Sequence, residues 1–209
     1  LRNKKNRIPP MKIIGVTQHS SKENRYRETR DALDKRWYKI FKELKVIPII
    51  LPNDTKMTNI LLRNIKFSGF MLTGGDSPLK YRGKSKERDL TENLIIKHCL
   101  INKISLLGVC RGMQMINLFF GGKLVKVRGH KNKKKKIKFL NQERMINSFH
   151  DFGFFKHSSK LITQAQSSDG VIKAFKSKSD PIWGIMWHPE RMQPISKLDL
   201  YFLRKVFRQ

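Results

Sequence analysis

Apolar runs and amphipathic stretches alternate along the first half of the chain. The runs are rich in β-branched and large apolar residues and predict buried strands at Lys12–Thr17, Val46–Leu51, Phe70–Thr73 and Ile104–Val109. Apolar residues at helical spacing predict helices over Glu28–Leu44, Met57–Ile65, Glu87–Asn102 and Gly112–Phe120. Strands that alternate with helices form right-handed βαβ units. We therefore expect an α/β fold with a mostly parallel central sheet and helices on both faces.

The second half of the chain has a different pattern, in which short strands precede a last helix at Ser196–Phe207. The predicted strands are Lys123–Val127, Lys160–Ala165, Val171–Phe175 and Ile182–Trp187. The dense basic run Lys131–Lys138, flanked by His130, is typical of a surface loop. No internal repeat or linker divides the chain. We expect one domain over residues 11–209, preceded by a basic N-terminal extension over residues 1–10.

The chain is strongly basic, with 45 Lys and Arg against 16 Asp and Glu and a formal net charge of +29. One interpretation is AT-rich codon usage, because Lys, Asn and Ile are abundant while alanine occurs only at Ala32, Ala165 and Ala174. The other is an anionic partner, since a positive field raises its encounter rate. The basic residues are scattered, and the basic run holds no aromatic residue for base stacking. Nucleic acid is therefore not the expected partner, whereas an anionic small substrate fits either interpretation.

The composition also predicts the compartment. No apolar run approaches the roughly 18–20 residues of a membrane-spanning helix, and residues 1–10 lack the apolar segment of a signal peptide. The two cysteines, Cys99 and Cys110, form neither a disulfide scaffold nor a four-ligand zinc site on their own. These features predict a cytoplasmic protein that does not associate with membranes.

Chemically distinctive residues follow several of the predicted strands. They are Thr17–His19, Gly74–Asp76, Cys110 and His188. In parallel α/β sheets, ligands bind at the edge where the carboxyl ends of the strands meet. The sequence therefore predicts one site that draws on all of these segments.

The segment from Gly108 to Gly112 has the pattern G-x-C-x-G between a predicted strand and a predicted helix. This spacing is typical of a nucleophile elbow, a strained turn with no room for side chains at its glycines. The N-terminus of the following helix favours a thiolate, and the amide of Arg111 can serve an oxyanion hole. The pattern predicts Cys110 as a nucleophile; a buried cysteine in a tight turn is the alternative.

A cysteine nucleophile needs a base, and the base needs an acceptor that orients it. His188 directly follows an apolar strand, and Glu190 comes two residues later. We expect His188 to be the base and Glu190 its acceptor; a surface His-Pro turn is the alternative. Gly74 and Gly75 end another strand and let backbone amides approach a ligand, although taken alone they are better explained as an ordinary turn.

Taken together, these motifs resemble the class I glutamine amidotransferase-like proteins, and among them the γ-glutamyl hydrolase branch, peptidase family C26. The resemblance covers about residues 11–190. The matching segments occur in the family's order: Gly15–Thr17, Leu72–Pro78, Glu87–Asp89, Gly108–Asn117, Phe120–Leu124, Asn147–His150 and Trp187–Glu190.

The resemblance implies a flavodoxin-like fold and a Cys-His-Glu triad that hydrolyses a γ-glutamyl amide through a γ-glutamyl thioester on Cys110. It implies an oxyanion hole made by the backbone amides of Gly75 and Arg111. It needs no metal or organic cofactor, and no ligand spacing in the sequence suggests one. The residues that it implies for substrate binding are Gly74, Gln114, Asn147, Ser148 and His150.

Within the family, the chain looks most similar to the short γ-glutamyl-CDP-amidate hydrolases, which act in making the cytidine diphosphoramidate donor for capsule decoration. Such a substrate carries a pyrophosphate, which a basic rim could pair with. The lysine-rich segment between Leu124 and Asn147 departs from the family pattern on the leaving-group side, so the leaving group stays open. The candidate rim residues are Lys22, Arg25, Arg27, Arg30, Arg82 and the run Lys131–Lys136.

Other functions stay open on the sequence. The same triad could belong to a glutaminase subunit that supplies ammonia to a separate synthase, or to a γ-glutamyl-GABA-type hydrolase. A nucleic-acid binder resting on the net charge and a hydrolase of ordinary esters are the remaining alternatives. The sequence makes no prediction of the oligomeric state.

Overall fold

The computed structural model describes residues 11–207, so the predicted extension over residues 1–10 lies outside the described residues. The helices are α1 (Arg36–Leu44), α2 (Thr55–Asn64), α3 (Lys86–Asn102), α4 (Arg111–Phe119) and α5 (Lys197–Phe207). The strands are β1 (Lys12–Val16), β2 (His19–Glu23), β3 (Glu28–Ala32), β4 (Val46–Ile50), β5 (Gly69–Leu72), β6 (Ser105–Val109), β7 (Val125–Lys126), β8 (Lys131–Phe139), β9 (Gln142–Phe149), β10 (Phe152–Gly153), β11 (Leu161–Gln166), β12 (Ile172–Ser177) and β13 (Ile182–Ile185).

A seven-stranded sheet in the order β11-β12-β13-β6-β5-β1-β4 forms the centre of the fold. The strands from β13 to β4 pair in parallel, whereas β12 is antiparallel to both of its neighbours. The predicted mostly parallel sheet is thus confirmed. Because β12 runs the other way, its first residues lie at the edge where β6 and β13 end.

Helices cover both faces of this sheet, as predicted. Side chains of successive strand residues point to opposite faces of the sheet. The contacts of Trp183 and Gly184 in β13 therefore show which helix covers each face. The Trp183 ring packs edge-on against Phe202 of α5, with ring centroids 5.3 Å apart. Gly184 lies against Met113 of α4 on the other face. Helix α1 packs beside α5, and α3 packs between α2 and α4.

Local sequence explains where the helices begin and end. Asp54 caps α2 by accepting a hydrogen bond from the N–H of Met57, and Ser85 caps α3 in the same way. Helix α1 ends at Lys45, which adopts a left-handed conformation. The apolar stripe of α1 is buried in the core, as its spacing predicts: Trp37, Ile40, Phe41 and Leu44.

The predicted helix Glu28–Leu44 is wrong in its first part. Residues Glu28–Ala32 form β3, which pairs with β2 in an antiparallel hairpin, and the helix starts only at Arg36. Leu33 lies at helical spacing from Trp37, which extended the predicted helix toward the N-terminus, but Leu33 precedes the helix in the structure. The hairpin strands have no buried side chains, so they lack the apolar alternation by which a strand is usually recognised.

The prediction of a surface loop at Lys131–Lys138 is also wrong. This run belongs to β8, which pairs with β9 as an antiparallel ribbon beside the main sheet. In the sequence, apolar residues mark the inward-facing side of β8 only near the end of the strand. There Ile137 and Phe139 are buried, and Lys135 is half-buried. The predicted strand Lys123–Val127 is reduced to the two residues of β7.

Across residues 11–207, no helix combines the length and apolar character needed to cross a bilayer.

Candidate active site

Cys110 occupies the turn between β6 and α4. Its backbone has φ 51° and ψ −102°, a conformation that residues with side chains rarely adopt. A Cβ on Gly108 would lie 2.5 Å from the carbonyl carbon of Gly112, and one on Gly112 would lie 2.2 Å from the carbonyl oxygen of Leu72. Only glycine therefore fits on either side of the cysteine. The turn has the geometry of a nucleophile elbow.

The thiol of Cys110 lies at the N-terminus of α4, which begins at Arg111. The first N–H groups of a helix lack intrahelical acceptors and carry partial positive charge. They favour a thiolate and, at Arg111, an oxyanion. The N–H of Cys110 donates to the carbonyl of Ile185 at 2.7 Å, which ties the elbow to strand β13.

His188 and Glu190 follow β13, the strand next to β6 in the sheet. A single 3₁₀ turn over Pro189–Arg191 folds the carboxylate back, so that Nδ1 of His188 lies 2.6 Å from Oε1 of Glu190. Both residues are buried. Because Nδ1 is engaged by the carboxylate, Nε2 is the nitrogen that remains for Cys110.

His188 has the charges of two groups beside it, Cys110 and the carboxylate of Glu190, and it is hydrogen-bonded to Glu190. Burial by itself lowers the pKa of His188. The charge and hydrogen bond of Cys110, followed by those of Glu190, outweigh burial and raise the pKa of His188 to about 9. The imidazole of His188 therefore keeps its proton at neutral pH despite its burial.

Asn147 of β9 holds the backbone of His188. Its Oδ1 accepts from the N–H of His188 at 2.8 Å, and its Nδ2 donates to the carbonyl of His188 at 2.8 Å. The sequence predicted Asn147 as a substrate-binding residue. The contact in the structure is instead with the peptide that carries the imidazole, and binding of substrate by Asn147 stays a prediction.

The segment Thr73–Gly75 is held from beneath by Arg88 of α3, which is fully buried. Nη2 of Arg88 donates to the carbonyls of Thr73 at 2.9 Å and Gly74 at 2.8 Å. A trans peptide points its C=O and N–H in opposite directions, so the N–H of Gly75 is directed away from Arg88. Gly74 lies against His188, where a Cβ would come within 2.5 Å of the ring.

Thr17, at the end of β1, supports the same segment. Its Oγ1 accepts from the N–H of Thr73 at 3.0 Å, and its carbonyl accepts from the hydroxyl of Thr73 at 2.8 Å. Thr17 is buried, so this part of the predicted edge supports the segment Thr73–Gly75.

The other residues predicted to bind substrate lie on α4 and β9 and on the loop after β9. Gln114 is one turn beyond the elbow, and its N–H donates to the carbonyl of Cys110 at 3.1 Å. Nε2 of Gln114 and Nδ1 of His150 both donate to the carbonyl of Phe152 at 2.8 Å. Ser148 is buried beside them. The structure therefore brings Gln114, Ser148 and His150 together.

A model of the peptidase C26 family matches residues 12–139 and 126–190. The chain belongs to the peptidase C26 family. It is 34% identical over 196 residues to γ-glutamyl-CDP-amidate hydrolase of Campylobacter jejuni subsp. jejuni serotype O:2, covering 90% of this chain and 94% of that protein. It is 29% identical over 183 residues to the glutamine amidotransferase-like protein YvdE of Lactococcus lactis subsp. lactis, covering 72% and 77% of the two chains.

The fold is also shared with solved structures. A crystal structure from Thermoplasma acidophilum, described as one subunit of a GMP synthase, superposes with a TM-score of 0.73 at 21% identity, covering 95% of this chain and 94% of that chain. This likeness confirms the predicted class I glutamine amidotransferase fold for the C26 chain.

Two cavities lie along the β2–β3 hairpin of this C26 protein, and the smaller one opens beside His188 and Glu190. The smaller, of about 210 Å³, is lined by Gly74, Gly75, His188 and Glu190 and by His19 at the start of the hairpin. The larger, of about 860 Å³, lies farther along the hairpin. Its lining mixes cations, carboxylates and neutral polar groups: Ser20, Ser21, Lys22, Asn24, Thr29, Asp31, Asn53, Lys84, Ser85 and Glu87.

Within residues 11–207, no three or more His, Cys, Asp or Glu side chains gather in a way that could hold a metal ion.

Two charged residues beneath the site were not predicted from the sequence. Arg88 lies within the Glu87–Asp89 motif. That motif contributed to the family resemblance, but it indicated no role for Arg88 itself. Lys173 lies on β12 and is fully buried. A lysine in a strand is usually interpreted as solvent-facing, and its burial here depends on partners from distant parts of the chain.

Proposed function

We propose that this chain hydrolyses the C–N bond of a γ-glutamyl amide through a γ-glutamyl thioester on Cys110. The observation that carries the proposal is the series Cys110–His188–Glu190 at a strained elbow, with Nδ1 of His188 2.6 Å from the carboxylate. Membership of the C26 family supports hydrolysis as the reaction type.

The sulfur of Cys110 attacks the γ-carbonyl carbon, and the carbonyl electron pair moves to oxygen. The backbone N–H groups of Gly75 and Arg111 donate to this oxyanion. When the tetrahedral intermediate collapses, the C–N bond breaks and His188 gives its proton to the leaving nitrogen. The γ-glutamyl group is then bound to Cys110 as a thioester.

The second half of the reaction uses water. His188, now neutral, takes a proton from a water molecule that attacks the thioester carbonyl. The C–S bond breaks, glutamate leaves, and the thiolate–imidazolium pair is restored. Throughout, Glu190 accepts from Nδ1 and fixes the imidazole, while Asn147 fixes its backbone.

The leaving group departs on the side of His188, where the cavity of about 210 Å³ opens. The larger cavity of about 860 Å³ continues along the same hairpin and has room for a bulky leaving group. Lys22 and Lys84 line it and can pair with phosphate. Asp31 and Glu87 line it as well, so the lining is polar and of mixed charge.

As the specific substrate we propose γ-glutamyl-CDP-amidate, cleaved to glutamate and cytidine diphosphoramidate, the donor in capsule phosphoramidate synthesis. The support is the 34% identity over 90% of the chain to the Campylobacter jejuni enzyme of that name. The polar cavity with its two lysines suits a nucleoside diphosphate in size and chemistry.

The test is glutamate release from a panel of glutamine, γ-glutamyl-GABA and γ-glutamyl-CDP-amidate. Cys110→Ala removes the proposed nucleophile. Cys99→Ala is the matched control, because Cys99 is buried in α3 and burial raises the pKa of its thiol, which keeps it unreactive. We expect release from the CDP-amidate by the unmodified protein and by Cys99→Ala, and none by Cys110→Ala.

Other outcomes would change the assignment. Release from γ-glutamyl-GABA alone would keep the mechanism and replace the leaving group. No release from any member without an added synthase would favour a glutaminase subunit. The hydrogen bonds from Arg88 to the carbonyls of Thr73 and Gly74 argue against that result. They hold the segment Thr73–Gly75 in place without a partner chain.

A further inference from the structure

Lys173 lies at the catalytic edge of the sheet although no step of the proposed reaction uses it. It is the second residue of the antiparallel strand β12, so it lies where β6 and β13 end. Two backbone hydrogen bonds connect it to the elbow: Met186 N–H to the Lys173 carbonyl at 2.8 Å, and Cys110 N–H to the Ile185 carbonyl at 2.7 Å. Its side chain is fully buried.

Neutral groups surround the ammonium of Lys173. Its Nζ donates to Nδ1 of His130 and to Nε2 of His150, both at 2.8 Å, and to Oγ of Ser148 at 3.4 Å. The remaining ring nitrogens act as donors, with Nδ1 of His150 bonded to the Phe152 carbonyl at 2.8 Å. Nε2 of His130 lies 2.9 Å from the carboxylate of Asp169. Each imidazole therefore donates from one ring nitrogen and accepts a hydrogen bond from Lys173 at the other.

No carboxylate of residues 11–207 lies within ion-pair distance of Lys173. The charges of Asp169, which contacts His130, and of Cys110 favour the protonated lysine from farther away, and the charge of Lys135 opposes it. A buried charge without a direct counterion is costly. Burial accordingly lowers the pKa of Lys173 to about 7. Such a site gains stability when an anion arrives, because the anion supplies the missing counter-charge.

The position of the cluster indicates which anion. Ser148 and His150 bond to Lys173, and His150 shares the Phe152 carbonyl with Gln114, one turn beyond Cys110. None of these residues lines the cavity beside His188. In the proposed function, which this inference rests on, Cys110 attacks the γ-carbonyl and the leaving group extends toward His188. The head group then extends toward the other groups next to the elbow, and its α-carboxylate is its anionic group.

We propose that Lys173 is the specificity-determining charge for the α-carboxylate of the γ-glutamyl group and acts through the hydroxyl of Ser148. The ammonium donates to Oγ of Ser148, so the hydroxyl hydrogen is left to bond the carboxylate. Lys173 is thus a positioning residue. It recognises the head group and takes no part in attack, proton transfer or departure of the amine.

The experiment compares two reagents that alkylate Cys110. One is 6-diazo-5-oxo-L-norleucine, a glutamine analogue that carries the α-carboxylate; the other is iodoacetamide, which is neutral and has no head group. For Lys173→Met we expect inactivation by the analogue to slow by about tenfold or more, the loss typical of a charged hydrogen bond. Alkylation by iodoacetamide should stay within about twofold of that of the unmodified protein.

Two further variants complete the test. Lys176→Met, on the same strand but away from the edge, should behave as the unmodified protein with both reagents. Ser148→Ala keeps the lysine and removes the hydroxyl, so it should reproduce the selective loss. It also serves as the test if thermal denaturation shows that Lys173→Met does not fold.

The outcomes separate this inference from the proposed function. Equal slowing of both reagents would overturn the inference, because Lys173 would then act on the thiolate. Unchanged rates for Lys173→Met would overturn it as well. If the glutamine analogue fails to modify Cys110 in the unmodified protein while iodoacetamide succeeds, γ-glutamyl recognition itself fails, and the proposed function fails with it.

Discussion

His188 is the residue through which every proton of the proposed reaction passes. Its imidazole lies between Cys110 and Glu190, and those two neighbours raise its pKa to about 9 against the opposing effect of burial. A raised pKa keeps the proton on the imidazole at neutral pH, where the leaving nitrogen needs it.

The raised pKa of His188 predicts an alkaline limit to the reaction. The kcat/KM of the unmodified protein should fall as pH rises through about 9, where His188 loses its proton in the free enzyme. Glu190→Gln removes a negative neighbour, which lowers the pKa of His188 and moves the alkaline limb to lower pH. We also expect a rate loss of roughly 10²–10⁴-fold. An unshifted limb in Glu190→Gln would contradict the assignment, and Cys99→Ala is the control.

Asn147 offers a second residue-level prediction. Its two hydrogen bonds to the His188 backbone assign it a positioning role. For Asn147→Ala we expect kcat to fall by about tenfold or more while KM changes little, because the imidazole loses its fixed position. A raised KM with an unchanged kcat would instead support the substrate-binding role that the sequence suggested.

At the scale of single elements, the turn between β6 and α4 allows the least variation. A Cβ on Gly112 would lie 2.2 Å from a backbone oxygen of β5, which no side-chain rotation relieves. Gly112→Ala should therefore lower the melting temperature and abolish turnover together. Ala substitution at Gly121 is the control, since a Cβ there meets nothing within 4 Å; its positive φ of 86° should cost stability but not turnover.

The contact between α3 and the segment Thr73–Gly75, whose Gly75 N–H we propose as an oxyanion donor, gives another test. Arg88→Lys keeps a buried cation beside Glu92 but removes the planar guanidinium group that donates to the carbonyls of Thr73 and Gly74. Turnover should fall by roughly 10²–10³-fold, the usual effect of an impaired oxyanion hole. Alkylation of Cys110 by iodoacetamide forms no oxyanion and should be unchanged. Loss of both would show that the variant disrupts the whole site.

The sequence predicted the strands and helices that bury either one face or all of their side chains. Strands of the parallel sheet and the α1 stripe from Trp37 to Leu44 follow from apolar spacing alone. The β2–β3 hairpin and the ribbon strand β8 were missed, because their side chains are mostly exposed and give no apolar alternation. Such strands are fixed by pairing with a partner strand, which local sequence does not encode.

For the site, the sequence could predict the parts that are contiguous. The elbow around Cys110 and the pair His188–Glu190 each lie within a few residues and at a strand end. Arg88 and Lys173 depend on partners 12 or more residues away and are recognised only when the fold brings those partners together.

At the scale of the whole molecule, the formal net charge of +29 predicts how rate depends on salt. For an anionic nucleotide-linked substrate, kcat/KM should fall as salt is raised from about 0.01 M to 0.15 M, because the Debye length shrinks from about 30 Å to 8 Å. Hydrolysis of glutamine, which has no net charge, should change much less. Equal dependence for both substrates would favour codon usage as the sole origin of the charge.

The central claim is a covalent intermediate on Cys110. The most direct measurement is acid quenching during turnover of γ-glutamyl-CDP-amidate, followed by mass spectrometry of the peptide that contains Cys110. We expect a γ-glutamyl adduct on that cysteine, released by hydroxylamine as a thioester is, and absent from Cys99 and from the Cys110→Ala protein. Glutamate release that continues in Cys110→Ala, with no adduct on any cysteine, would contradict it.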